Sequence, residues 1–97
     1  MPQRSQRHRQ EFQGQAMRIN SLSPSTGVQS TQITLQVLGS NFRSGDVIVW
    51  NGSPVTTSFV STAQLNATLT LPATPGAIPV MVRRGSVDTN QVTFTVT

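Results

Sequence analysis

Seven arginines, one histidine, two aspartates and one glutamate are the charged or readily ionising side chains of this 97-residue sequence, which has no cysteine, lysine or tyrosine. His8 stands alone near the start, so a Ser/His/Asp arrangement elsewhere in the chain has no base to use. Glu11, Asp46 and Asp88 are each isolated in sequence. A paired-carboxylate mechanism would need the fold to bring Asp46 to Asp88. Both lie among turn-forming residues, and the expectation is two solvated carboxylates. A metal centre needs several His, Cys or carboxylate ligands, and these are too few. No thiolate nucleophile exists, and no glycine-rich phosphate loop occurs. The sequence therefore predicts a non-enzyme without cofactor or metal.

The charge is unevenly placed. Arg4, Arg7, Arg9 and Arg18 fall in the first 18 residues, opposed only by Glu11. Arg43, Arg83 and Arg84 against Asp46 and Asp88 leave the remainder at +1 of the formal +4. Residues 1–16 are rich in Gln and Arg, with Phe12 as their large apolar side chain. Such a segment buries too little to offset its ordering entropy, so it reads as an extended or disordered arm. It lacks Pro from Arg4 to Ala16, which leaves room for a helix formed on a partner. Three readings of the arm stand side by side. Its arginines neutralise phosphates, or it docks on a protein subunit with Phe12 in an apolar pocket and the arginines on carboxylates, or it is a solvated tail. Without interleaved aromatics for base stacking, nucleic acid is disfavoured.

Elements that would position such groups begin at Met17, where the pattern turns to period two. Ile33, Leu35 and Val37 share one face of a strand and polar residues the other. Asp46 to Trp50 is the next strand, with Val47 and Val49 or Ile48 and Trp50 inward according to register. Asn51-Gly52 predicts a type I′ turn, and Val55 to Val60 is expected to return as the second arm of that hairpin. Leu65, Ala67, Leu69 and Leu71 align next, then Ile78, Val80 and Val82, and finally Val92, Phe94 and Val96. Arg18 to Leu22 is the first strand, broken by Pro24 and Gly27. Arg83-Arg84-Gly85-Ser86 reads as a turn with both arginines at its tip. Trp50 is expected to pack in the core rather than serve as a ligand platform, and Phe42 to anchor a loop under the sheet edge. Leu35, Leu69, Val80 and Phe94 complete the expected core. About seven short strands with turns every 8–12 residues are the pattern of an all-β, immunoglobulin-like sandwich. The expected domains are a basic arm over 1–16 and the sandwich over 17–97.

At this point the residues resemble a known family. Ile19-Asn20-Ser21-Leu22-Ser23-Pro24-Ser25-Thr26-Gly27 is similar to the opening "I-x-S-L-S-P-x-x-G" of IPT/TIG domains. Leu38-Gly39-Ser40-Asn41-Phe42 resembles that family's "G-x-x-F" turn. Val49-Trp50-Asn51-Gly52-Ser53 resembles its "V-x-F-N-G" hairpin, Ser61 to Thr68 its "S-x-T-Q-I-T-A-T", and Asn90 to Phe94 its "S-N-A-V-T-F". The resemblance implies an immunoglobulin-like fold and an interaction role, with no shared active site to carry over. Arg83 and Arg84 depart from the usual Gly- and Asn-containing last loop.

No apolar run approaches the ~18 residues of a membrane span, and the basic start is not followed by the apolar region of a signal peptide. Asn51-Gly52-Ser53 and Asn66-Ala67-Thr68 match glycosylation acceptors but read as chance without such a signal. A lone domain of bacterial type without an export signal suggests a phage virion, assembled in the host cytoplasm and released by lysis. The leading expectation is a virion accessory such as a capsid decoration protein. Arg4, Arg7, Arg9, Phe12 and Arg18 would anchor it on other protein subunits, a major capsid protein among them. The sandwich would be displayed outward, with Arg83 and Arg84 touching neighbours or a host surface glycan. Oligomerisation within an assembly is compatible with this; membrane association is not expected. The alternatives are a carbohydrate- or surface-binding module of a larger secreted protein and a DNA-associated domain.

Overall fold

Alternation of β-branched and polar residues becomes strand wherever one set can be buried and the other left in water. The computed structural model describes residues 17–97, so the expectations for Arg4, Arg7, Arg9 and Phe12 lie outside the described residues. The strands are β1 (Arg18–Ser23), β2 (Thr26–Gly27), β3 (Gln32–Ser40), β4 (Val47–Trp50), β5 (Ser53–Pro54), β6 (Ser58–Ser61), β7 (Gln64–Thr70), β8 (Gly76–Arg84), β9 (Val87–Asp88) and β10 (Val92–Val96). Seven of them have four or more residues, and three have two. One sheet runs in the order β1-β3-β7-β6, the other β2-β10-β8-β4-β5 with β9 paired to β8. All pairings are antiparallel except β2 with β10. The described chain is thus an all-β sandwich of two sheets.

The inner faces supply the core. Leu35 and Val37 of β3 face Leu65, Ala67 and Leu69 of β7 across to Ile78, Val80 and Val82 of β8 and Phe94 and Val96 of β10, all buried. Phe42 is buried completely at the end of β3. Trp50 is half-buried and packs on Phe94 with ring centroids 5.1 Å apart at 59°, a tilted pairing that suits the ring quadrupoles. In β4 both Ile48 and Val49 are buried, and Ile48 joins the core cluster with Trp50. Val49 lies on the opposite face, in register with Pro54 and Met81.

Three expectations change. The hairpin after Asn51-Gly52 is present, with φ of 51° and 82° at its two central residues, but its return arm is only β5. Pro54 has no N–H to continue a ladder. The Ile48 amide donates instead to the Thr57 hydroxyl (2.8 Å), and the chain crosses to the other sheet as β6 on β7. At the N-terminal end, β1 likewise does not simply stop at Pro24. After a cis Ser23–Pro24 bond the chain changes sheets, and β2 runs beside β10. Finally, Arg83 and Arg84 belong to β8 rather than to a turn. The turn is one residue further on, where Gly85 takes φ of 60°.

The two sheets are held together at the β1 edge by one side chain. Asn90 Oδ1 accepts from the Ile19 amide and Asn90 Nδ2 donates to the Ile19 carbonyl, both at 3.0 Å. An amide side chain thus stands in for a neighbouring strand where β1 slips its register between Ile19 and Ser21. Beneath it, β1 crosses Gly39 so closely that a Cβ there would fall on the Arg18 carbonyl oxygen and lie 2.7 Å from Phe42 Cζ. Gly39→Ala is expected to cost ~2 kcal/mol or more by overpacking. Asn90→Ala should cost roughly 0.5–1.5 kcal/mol by removing both partners of the part-buried Ile19 amide and carbonyl. Urea denaturation of each variant checks both; a midpoint equal to the wild type's in either case refutes the corresponding contact.

Candidate functional site

Among the described residues, both acids meet arginines at one end of the sandwich, where the β3–β4 connection passes the end of β8. Asp46 precedes β4 in a turn closed by its own amide to the Arg43 carbonyl (3.1 Å). Its carboxylate turns inward: Oδ2 accepts from the Arg43 amide (2.8 Å). Arg84 then reaches across from β8 and donates Nε to Oδ1 (2.8 Å) and an NH2 proton to Oδ2 (2.9 Å). The same guanidinium also donates to the Asn41 carbonyl (2.9 Å). Two parallel bonds of this kind are the strong, fork-on-fork geometry of arginine and carboxylate.

Asp46 is therefore buried, only 4% exposed, and not the solvated turn residue expected of it. Burial alone pushes its carboxyl pKa up. The hydrogen bonds from Arg84 and the Arg43 amide, with the charges of both arginines, outweigh that and hold it below the ordinary carboxylate range. Asp88 of β9 is paired differently. Arg83 Nε donates to its Oδ1 at 2.7 Å across the β8–β9 register, with both side chains well exposed. That hydrogen bond lowers the Asp88 pKa. The contribution to stability is small in water.

The two carboxylates are thus each taken by one arginine, which disposes of a paired-acid mechanism. It also changes the reading of Arg83 and Arg84. Each is engaged within the sandwich: Arg84 fastens a loop, and Arg83 fastens the last hairpin. Arg18 is exposed at the start of β1. Among the described residues, no three His, Cys, Asp or Glu come together to hold a metal. No helix among them is long and apolar enough to cross a membrane.

A family model for the IPT/TIG domain matches residues 17–96. The chain belongs to the IPT/TIG family. The solution structure of the TIG domain of human nuclear factor of activated T-cells, cytoplasmic 4, is similar, with a TM-score of 0.67 at 17% identity, covering 84% of this chain and 88% of that one. The crystal structure of gamma-CGTase from alkalophilic Bacillus clarkii is similar with a TM-score of 0.65 at 20% identity, covering 84% of this chain and 12% of that one. At these identities the likeness is one of fold. No curated protein matches the chain. As an IPT/TIG domain the sandwich is a non-catalytic, immunoglobulin-like module for macromolecular interaction.

What such a module offers a partner is surface, and the IPT/TIG sandwich has three distinct kinds here. The free edge of β6 exposes Phe59 and Val60, 42% and 50% accessible. The β8–β9 end carries the ion pairs and an exposed Val87. The outward face of β3 and β7 is polar throughout most of its length. Of these, the sequence pointed only to the second, through its arginines; Phe59 and Val60 were read as an ordinary strand.

The buried pair has a measurable signature. A folded-state pKa held below the unfolded value gives stability that is complete above the ordinary carboxylate range and lost as pH falls through the folded value. Stability is thus expected to decline below about pH 4. Asp46→Asn should flatten that decline, and Asp88→Asn should barely alter it. Arg84→Met should cost roughly 1–3 kcal/mol at neutral pH by leaving a buried carboxylate short of donors. Thermal denaturation at pH 7 and across the acid range reads all three. An Asp46→Asn profile as steep as the wild type's would sink the assignment.

Proposed function

We propose that this chain is a non-enzymatic structural protein that joins a larger protein assembly, most specifically a phage virion accessory such as a capsid decoration protein. Residues 1–16 attach it to neighbouring subunits, and the IPT/TIG sandwich is carried on the outside. The supporting observation is the disposition of charge. The sandwich's two acids are consumed by Arg83 and Arg84. Its net charge from residue 19 onward is only +1, three arginines less two aspartates. The basicity left for a partner is that of Arg4, Arg7, Arg9 and Arg18, beside the apolar Phe12. A short basic segment with one aromatic residue suits an acidic protein surface with a pocket: the ring supplies buried area and the arginines charge-assisted hydrogen bonds. The same distribution weighs against DNA association. A phosphate backbone needs many cations in one track, and two of the sandwich's arginines are already committed.

A second reading, a surface- or carbohydrate-binding module within a longer secreted protein, is favoured by the similarity to a stretch amounting to 12% of the gamma-CGTase chain. Sandwiches of this shape therefore occur as minor parts of large enzymes.

Sedimentation separates the readings. The full chain, tagged and isolated from producing cells, is expected in the fast-sedimenting particle fraction of a sucrose gradient. A chain of residues 17–97 is expected at the top of the gradient, and raising salt should release the full chain because the contacts are partly ionic. Full particle association by the truncated chain would overturn the anchoring role.

A further inference from the structure

The outward face of β3 and β7, the two central strands of the β1-β3-β7-β6 sheet, is uncharged and dense in hydrogen-bonding groups. Register sets Thr34 opposite Thr68 and Gln36 opposite Asn66, with Gln32 and Thr70 at the next rung. The alternate residues of both strands fill the core, so these six face outward. Ser58 of β6 stands beside Asn66. Gln64 Nε2 donates to Asn66 Oδ1 (2.9 Å), which orients the Asn66 carboxamide and leaves its own donors unspent. The side chains of Thr34, Gln36 and Thr68 make no hydrogen bond among the described residues. Between β6 and β7 the face dips into a recess of about 130 Å³ lined by Thr56, Ser58, Asn66, Ala67 and Thr68.

The chemistry of this surface excludes most ligand classes. Its two central strands carry no cation for phosphate, sulfate or an acidic peptide, and no carboxylate for a metal, the exposed Arg18 lying beyond them at the start of β1. Its rungs present no broad apolar area for a hydrophobic segment. What it does present is a grid of neutral donors and acceptors, spaced ~4.8 Å between strands and ~6.8 Å along them, beside a hollow of mixed polar and apolar lining. A neutral polysaccharide is the complementary chemistry: uncharged, extended, and carrying hydroxyls that both donate and accept. We propose that this face binds a neutral glycan chain, with one sugar unit in the recess of Thr56, Ser58 and Thr68 and the chain crossing Asn66 and Gln36. Individual contacts of this kind are weak in water, and many copies displayed together would bind by avidity. The proposal is independent of how residues 1–16 are used.

Affinity electrophoresis of the full chain tests it, in native gels containing soluble starch, xylan or galactomannan, with dextran sulfate as the charged control. The wild type is expected to be retarded by at least one neutral polysaccharide. The double variant Gln36→Met/Thr68→Val removes the polar heads at nearly constant shape and should lose at least five-fold in affinity with an unchanged Tm. Thr93→Val, on the outer face of the other sheet, should bind as the wild type does. The proposal fails if none of the three neutral polysaccharides retards the protein, if dextran sulfate alone does, or if the double variant is retarded as strongly as the wild type.

Discussion

The sandwich closes on a single carboxamide. Asn90, between β9 and β10, gives its Oδ1 and Nδ2 to the amide and carbonyl of Ile19, and so ties the first strand of one sheet to the last connection of the other. Ile19 is almost fully buried, and its outward backbone groups have no strand beyond them. Unpaired groups at such depth are costly. The carboxamide reproduces the donor and acceptor of a missing strand. It also lets β1 slip its register against β3 and still cover the core. Gly39 completes the arrangement: β1 can lie this close only because no Cβ stands beneath Arg18. Residues 1–16 thus lead into a strand held on both sides, by β3 and by Asn90.

The buried carboxylate just before β4 obeys the same logic with charge in place of an amide. Desolvation opposes an ionised Asp46, and it stays ionised because three donors converge on it from two elements. A buried pair of this kind adds little net stability against a hydrophobic substitute, but it tolerates few alternatives once one partner is present. Its structural consequence is register. Arg84 reaches Asp46 and the Asn41 carbonyl together only when β8 lies correctly beside β4. The loop that positions Phe42 over the core is thereby pinned to the far strand.

The inward residues of every long strand were legible from period two, because each face has one environment for its whole length. Sheet switching was not. Pro54 and Pro24 announce that a ladder ends, yet nothing local says that the chain then joins the opposite sheet; that depends on Thr57 and β10, which lie farther along the chain. Asp46 looked solvated because Ser44-Gly45-Asp46 is ordinary turn composition, and its partner lies 38 residues away. The charge of Arg83 and Arg84 is visible in sequence, and its pairing with Asp88 and Asp46 is not. Asn90 sat inside a family-like motif with no sign that its side chain, rather than its backbone, made the connection. The polar face of β3 and β7 was read only as the outside of a strand.

That last point bears on where an immunoglobulin-like module keeps its specificity. Core positions answer to volume and apolarity, and the Arg84–Asp46 pair turns inward to shape the domain. Neither can identify a partner. The remaining freedom lies in what the outward halves of the strands carry, and the two sheets differ sharply in that respect. One shows Val47, Pro79 and Met81 half-buried on its outer face near the Arg83–Asp88 pair. The other carries threonine, glutamine and asparagine in register across two central strands. Surface positions under no demand beyond solubility usually acquire mixed charges, because charges hold water best. Uncharged hydroxyls and carboxamides run across β3 and β7 while every acid of the sandwich sits at its β8–β9 end. The difference between the two outer faces, and not the shared core, is what sets one surface of this sandwich apart from the other.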